Sequence, residues 1–117
     1  FFFFFFYNRG ENMTIDMNDF LTIVNNSSST LNIIDIRSKY IYDLSHINNS
    51  INVPYDYLLL SPSKYLNKND TYYLYCQAGY TSKSISKKLN SLGYKTISIN
   101  GGYNSYRLNI VKDISSF

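Results

Sequence analysis

The sequence predicts one α/β domain built on a mainly parallel sheet of about five strands, with helices on both faces. Three observations predict it. Short β-branched or aromatic runs alternate along the chain with segments of helical periodicity. The runs carry adjacent apolar residues, as strands buried on both faces do. The chain has 117 residues, the size of one compact domain that buries a core without disulfides or a metal. Strands joined by helical segments imply parallel crossovers in a three-layer arrangement.

The elements follow in order. After Met13 comes a brief extended piece, then Asp16 or Asn18 as the N-cap of a short helix carrying Phe20, Leu21 and Val24. A polar loop over 25–30 leads to a strand over 31–36, whose end delivers Asp35 and Arg37. Residues 38–43 form a short helix, 48–50 a turn, and 51–53 a short strand stopped by Pro54. A helical turn or two over 55–60 is followed by a surface segment bracketed by the loop-forming stretches 61–63 and 67–70. The aromatic run 71–75 is a strand ending at Cys76. Ile85, Leu89 and Leu92 make one stripe of a helix over 81–92, with Gly93 as its C′ residue. A strand over 96–99, a turn at Gly101-Gly102 and a helix over 103–111 complete the pattern.

Bulk properties narrow the function. The net charge of +3 is modest and no basic arm is present, which argues against nucleic acid as a partner. Cys76 is the single cysteine, so neither an internal disulfide nor a multi-cysteine metal site can form, and a lone thiol suits the cytoplasm. The Phe1 to Phe6 run is too short to span a bilayer and lacks a positive region before it. Residues 1–12 therefore read as a tag-like or upstream segment, with the domain over 13–117.

The chemistry centres on the loop Cys76-Gln77-Ala78-Gly79-Tyr80-Thr81-Ser82. A free cysteine is more often a small buried hydrophobe than a nucleophile. This one follows a strand and precedes a helix, and ligands of parallel α/β sheets bind at the carboxyl ends of strands. Backbone N–H groups of such a loop and of the first helical turn lack intrahelical partners, so they can converge on a negative charge. A thiolate or persulfide is such a charge. Gly79 permits the turn that aims these amides inward.

From Met13 to about Arg107 the chain resembles the rhodanese homology domain. Asp35-Ile36-Arg37 resembles its Asp-x-Arg, His46-Ile47 through Asn52-Val53-Pro54 its His-Ile to Asn-x-Pro segment, and Cys76-x-x-Gly79 with Thr81 its active-site loop. Leu92-Gly93-Tyr94, Asn100-Gly101-Gly102 and Tyr106 resemble its closing elements. Ser45, Asn49 and Ser50 stand where the family often has Gly, Gly and Ala, Tyr106 where it often has Trp, and Thr81 where many single-domain members carry Arg. Asn49 can adopt the left-handed turn that glycine would.

The resemblance implies a sulfurtransferase that carries sulfane sulfur on Cys76 as a persulfide and needs no metal or organic cofactor. It implies a small donor such as thiosulfate with a thiol or cyanide acceptor, or a persulfide-carrying protein; the modest charge and the short apolar run argue for no nucleic-acid and no membrane partner. Asp35, Arg37 and His46 are read as structural supports of the loop. Tyr80 is expected beside the thiol pocket, and Lys83 is the one lysine of its helix near enough to steer an anion. Gln77 and Ala78 are uncharged, which leaves a persulfide relay or redox-sensing module as the alternative to turnover of small donors. A phosphatase would need Arg at position 82, which is Ser, and a thioredoxin-like enzyme would need a second cysteine where Gly79 stands.

Overall fold

The computed structural model describes residues 13–115, with side chains described through 110. The tag-like segment expected over 1–12 lies outside the described residues. Five strands, β1 (Thr14–Asp16), β2 (Asn32–Asp35), β3 (Ile51–Asn52), β4 (Thr71–Tyr75) and β5 (Lys95–Asn100), form one sheet in the order β1-β5-β4-β2-β3. Every pairing is parallel. Between and after them lie six helices: α1 (Met17–Asn26), α2 (Lys39–Leu44), α3 (Tyr55–Leu60), α4 (Pro62–Tyr65), α5 (Tyr80–Ser91) and α6 (Gly102–Ser115). The predicted α/β class and five-stranded parallel sheet are what the chain forms.

The two-residue alternation of a strand divides the core into two layers. Along β4 and into the loop, Tyr72, Leu74 and Cys76 join Leu58, Leu66, Ile85 and Leu89 on the face covered by α3 and α5. Tyr73 and Tyr75 join Phe20, Ile97, Ile99 and Tyr103 on the face covered by α1 and α6. Cys76 thus continues the inward register of β4, which fixes the direction of its Sγ.

β5 breaks the apolar rule on one face only. Ile97 and Ile99 are buried against α1 and α6, whereas Thr96 and Ser98 are fully buried toward α5. α5 answers with Ser82, Ser86 and Asn90, spaced four apart on one side of the helix and all buried. Thr96 Oγ1 bonds Asn90 Oδ1 at 2.9 Å and pairs with Ser86 Oγ at 2.5 Å, and Asn90 also receives the Thr96 amide at 2.8 Å. A buried hydroxyl without a partner costs on the order of 1–3 kcal/mol, so these pairings fix the register of helix on strand.

One local expectation is corrected, and a second holds in position only. Residues 62–65, within the stretch expected as surface loop, make the single turn α4, because Pro62 at the first helical position already holds the helical φ and has no N–H to lose. Asp16 occupies the N-cap of α1 but caps no amide; its carboxylate accepts from Asn100 Nδ2 at 2.8 Å and ties the ends of β1 and β5 together. Asn49 adopts φ 67°, the left-handed turn anticipated for it.

Candidate functional site

Cys76 follows β4 at the carboxyl end of the sheet, and its loop turns through Gly79 into α5. Sγ is buried and accepts from the amides of Gly79 at 3.2 Å and Ser82 at 3.3 Å. The Ser82 hydroxyl lies 3.4 Å from the same sulfur. Gly79 holds φ 102°, a conformation that disfavours a side chain, and a Cβ there would come within 2.8 Å of the Gly101 amide nitrogen.

The carbonyls of the loop are turned elsewhere. Cys76 O accepts from the Tyr103 amide at 2.9 Å and Gln77 O from the Asn104 amide at 3.0 Å, so the first turn of α6 draws both toward itself. With its carbonyls engaged there, the loop presents mainly N–H groups to the sulfur. Gly102 makes the approach possible: at φ 56°, a Cβ on it would collide with the Cys76 carbonyl oxygen and sit 2.9 Å from that of Gln77. Gly102→Ala is expected to lose more than about 2 kcal/mol of stability in denaturant unfolding, the left-handed backbone costing about 1 kcal/mol and the clash the rest. Gly93→Ala, equally left-handed at φ 97° but facing only the flexible Lys68 side chain at 3.5 Å, is the control that carries backbone strain without the clash.

Asp35 and Arg37 brace the loop from β2. The Asp35 carboxylate is fully buried and accepts from Arg37 Nε at 3.0 Å and Nη2 at 2.7 Å, and from the Arg37 amide at 2.8 Å. Arg37 Nη1 donates to Gln77 Oε1 at 3.0 Å and Nη2 to the Ser45 carbonyl at 2.8 Å. Its guanidinium lies 4.4 Å from the centre of the Tyr103 ring. Burial acts to lower the guanidinium pKa, but the bond and charge of Asp35, followed by Tyr75, raise it above the ordinary value and Arg37 remains charged. Burial, aided by Asp35, pushes the Tyr75 phenol well up against the opposing bonds from Ser50 and Ile47, so it stays neutral.

The residues picked from the sequence therefore separate. Cys76, Gly79 and Ser82 meet at the sulfur. Gln77 turns aside, its Nε2 donating to Asn104 Oδ1 at 2.6 Å while Arg37 holds its oxygen. Ala78, Tyr80 and Thr81 are exposed at the loop rim, with Tyr80 82% exposed. Lys83 is exposed and its amide is already bonded to the Gly79 carbonyl at 3.3 Å. His46 stacks on Tyr42 with ring centres 3.8 Å apart, and its Nδ1 lies 2.8 Å from the Tyr42 carbonyl. Sequence reasoning missed Ser45, Ser98, Tyr103 and Asn104. A polar residue behind the Gly-Gly turn was a visible signal for Asn104, while nothing local marks the others.

The Rhodanese-like domain matches residues 17–109. The adenylyltransferase and sulfurtransferase uba4 of Ogataea parapolymorpha is 32% identical over 71 residues, which cover 60% of this chain and 18% of that protein. Its namesake in Emericella nidulans is 26% identical over 116 residues, covering 77% of this chain and 24% of that protein. The chain thus spans a quarter or less of the length of these curated relatives. A protein from Staphylococcus saprophyticus superposes with a TM-score of 0.73 at 23% identity, covering 80% of this chain and 92% of that one. The rhodanese-like domain protein from Staphylococcus aureus gives 0.70 at 25% identity over 79% and 88% of the two chains. The rhodanese-like domain from Anabaena gives 0.73 at 21% over 84% and 74%. The matched span holds the Cys76 loop, the Asp35–Arg37 pair and the glycines behind them, and the chain belongs to the Rhodanese-like domain family, a domain of the sulfurtransferase type.

Proposed function

We propose that this chain is a sulfurtransferase that moves a sulfane sulfur from a donor to a thiophilic acceptor through a persulfide on Cys76. The observation that carries the reading is the amide cradle: Sγ receives the Gly79 and Ser82 N–H groups while the Cys76 and Gln77 carbonyls bond to α6. In the first half-reaction the Cys76 thiolate attacks the donor's sulfane sulfur. The new S–S bond forms as the bond to the donor's remainder breaks, and that remainder leaves with the electron pair. In the second, an acceptor thiol or cyanide attacks the outer sulfur and the Cys76 thiolate is the leaving group. The amides of Tyr80 and Thr81 are the donors left for the outer, anionic sulfur, because first-turn N–H groups have no carbonyl one turn back. No metal or organic cofactor takes part.

The same loop supports a reading of the donor. Gln77 is bonded to Arg37 and Asn104, and Ala78 and Thr81 are uncharged, so residues 77–82 carry no cationic side chain to clamp a dianion, and Lys83 is the nearest lysine along the chain. This favours a persulfide presented by a protein over free thiosulfate; in this reading the domain is a sulfur carrier of the cytoplasm, the reducing compartment that a lone thiol suits. Among the described residues no helix is long and apolar enough to cross a membrane. Nucleic acid and lipid are not partners in this reading.

The test is the intact mass of the protein after incubation with thiosulfate, 3-mercaptopyruvate and a cysteine-desulfurase persulfide in parallel. A gain of one sulfur atom from the protein donor, at least about tenfold faster than from thiosulfate, is expected for a loop without a cationic clamp. Equal loading from thiosulfate would overturn the donor assignment, and no loading from any donor would overturn the reaction.

A further inference from the structure

We infer that Ser98 is a positioning residue for Cys76, acting through Ser82 as the second hydroxyl of a buried relay. Ser82 Oγ lies 3.4 Å from Cys76 Sγ and 2.7 Å from Ser98 Oγ, and both serines are fully buried. Ser82 carries one proton and has three groups within reach: the sulfur, the Gly79 carbonyl at 3.3 Å and Ser98. When Sγ holds its proton, it donates to Ser82 Oγ, and the Ser82 hydroxyl turns to Gly79 or Ser98. When that proton has left to solvent, sulfur is an acceptor only. The Ser82 hydroxyl then turns to Sγ, and the Ser98 hydroxyl turns to donate to Ser82 Oγ. Each hydroxyl rotates about its own C–O bond, and no covalent bond is made or broken in the relay.

Ser98 decides which way Ser82 points. Without its hydroxyl, the Ser82 proton is shared between two acceptors at nearly equal distance, and the lone pair facing β5 has no donor. With it, the short bond between the two oxygens polarises the Ser82 hydroxyl, and a donor so polarised binds an anionic sulfur more strongly. The β5 register sets this up, because Ser98 and Thr96 face the same side of the sheet. Ser86 is the internal comparison: it lies one turn further along α5, is as buried as Ser82, and pairs with Thr96 instead of sulfur.

The relay belongs to the site of the proposed sulfur carrier, but its test reads the thiol alone. Cys76 in the full chain is alkylated with iodoacetamide at neutral pH, and the thiolate is followed by its ultraviolet absorbance. Ser98→Ala is expected to slow alkylation about threefold to tenfold and to lower the thiolate signal, the scale of one hydrogen bond supporting a charged group through a second. Ser86→Ala, which removes an equally buried hydroxyl, is expected to alkylate as the parent does. The pair Ser98→Thr and Ser98→Val share one shape and differ in the hydroxyl, so they separate donation from packing should alanine disturb the fold. Thr is expected to react like the parent and Val like Ala. Equal rates for Thr and Val, or an equal loss in Ser86→Ala, would overturn the assignment. Normal alkylation behaviour in a chain that takes sulfur from no donor would instead overturn the proposed function and leave the relay standing.

Discussion

Replacing Cys76 with serine is expected to abolish sulfur loading and to lower transfer from any donor by more than about a thousandfold, the scale on which enzymes respond to loss of a covalent nucleophile. The structure makes this substitution clean. Sγ sits in a buried position where it accepts two amide bonds, from Gly79 and Ser82, and a serine oxygen accepts the same bonds. The loop also stays attached to α6 through carbonyls that the substitution does not touch. The unfolding free energy is therefore expected to change by no more than about 1 kcal/mol. What is lost is nucleophilicity, because a serine hydroxyl is not ionised near neutral pH and does not form a stable bond to sulfane sulfur. Intact mass after donor treatment and acceptor-dependent sulfur release measure the two halves of the cycle. Sulfur retained by Cys76→Ser would place the carrier on another residue.

The parts of this molecule that were legible in the sequence are those governed by neighbours along the chain. The adjacent apolar residues of Ile33-Ile34 and the run Tyr72 to Tyr75 announce strands buried on both faces, and the four-residue spacing of Ile85 and Leu89 announces α5. Gly93 and Asn49 mark left-handed turns because their chemistry tolerates positive φ, and both adopt it. Strand, loop and helix around Cys76 could be placed from these signals together with the resemblance to the rhodanese domain.

The parts that were hidden depend on residues remote in sequence. Arg37 reaches Gln77 across 40 positions, Gln77 reaches Asn104 across 27, and Tyr103 Oη donates to Ser45 Oγ across 58. Gly101-Gly102 reads as a turn, and it is one, but its second glycine is needed because the Cys76 carbonyl occupies the place of a side chain. Ser98 looks like a polar interruption of a strand until α5 brings Ser82 against it. No periodicity encodes such a meeting.

The Asp35–Arg37 pair supports the second large prediction. Asp35→Ala is expected to cost about 3–5 kcal/mol, because it leaves the guanidinium buried without its counter-charge. That is a large part of the roughly 5–15 kcal/mol available to a domain of this size. Arg37→Ala leaves the fully buried carboxylate exposed to the same penalty. The double replacement Asp35→Leu with Arg37→Met removes both charges and refills the space with apolar atoms, and buried pairs exchanged in this way often lose little stability or none. Denaturant unfolding is expected to place the double variant well above either single one. Sulfur transfer is expected to stay low in Arg37→Ala and in the double variant, since Arg37 also donates to Gln77 and to the Ser45 carbonyl, and neither alanine nor methionine can do so. A double variant with recovered stability and recovered transfer would mean that the ion pair serves the fold alone. Recovered stability with lost transfer would show its work to be the placement of the Cys76 loop, for which stability is incidental.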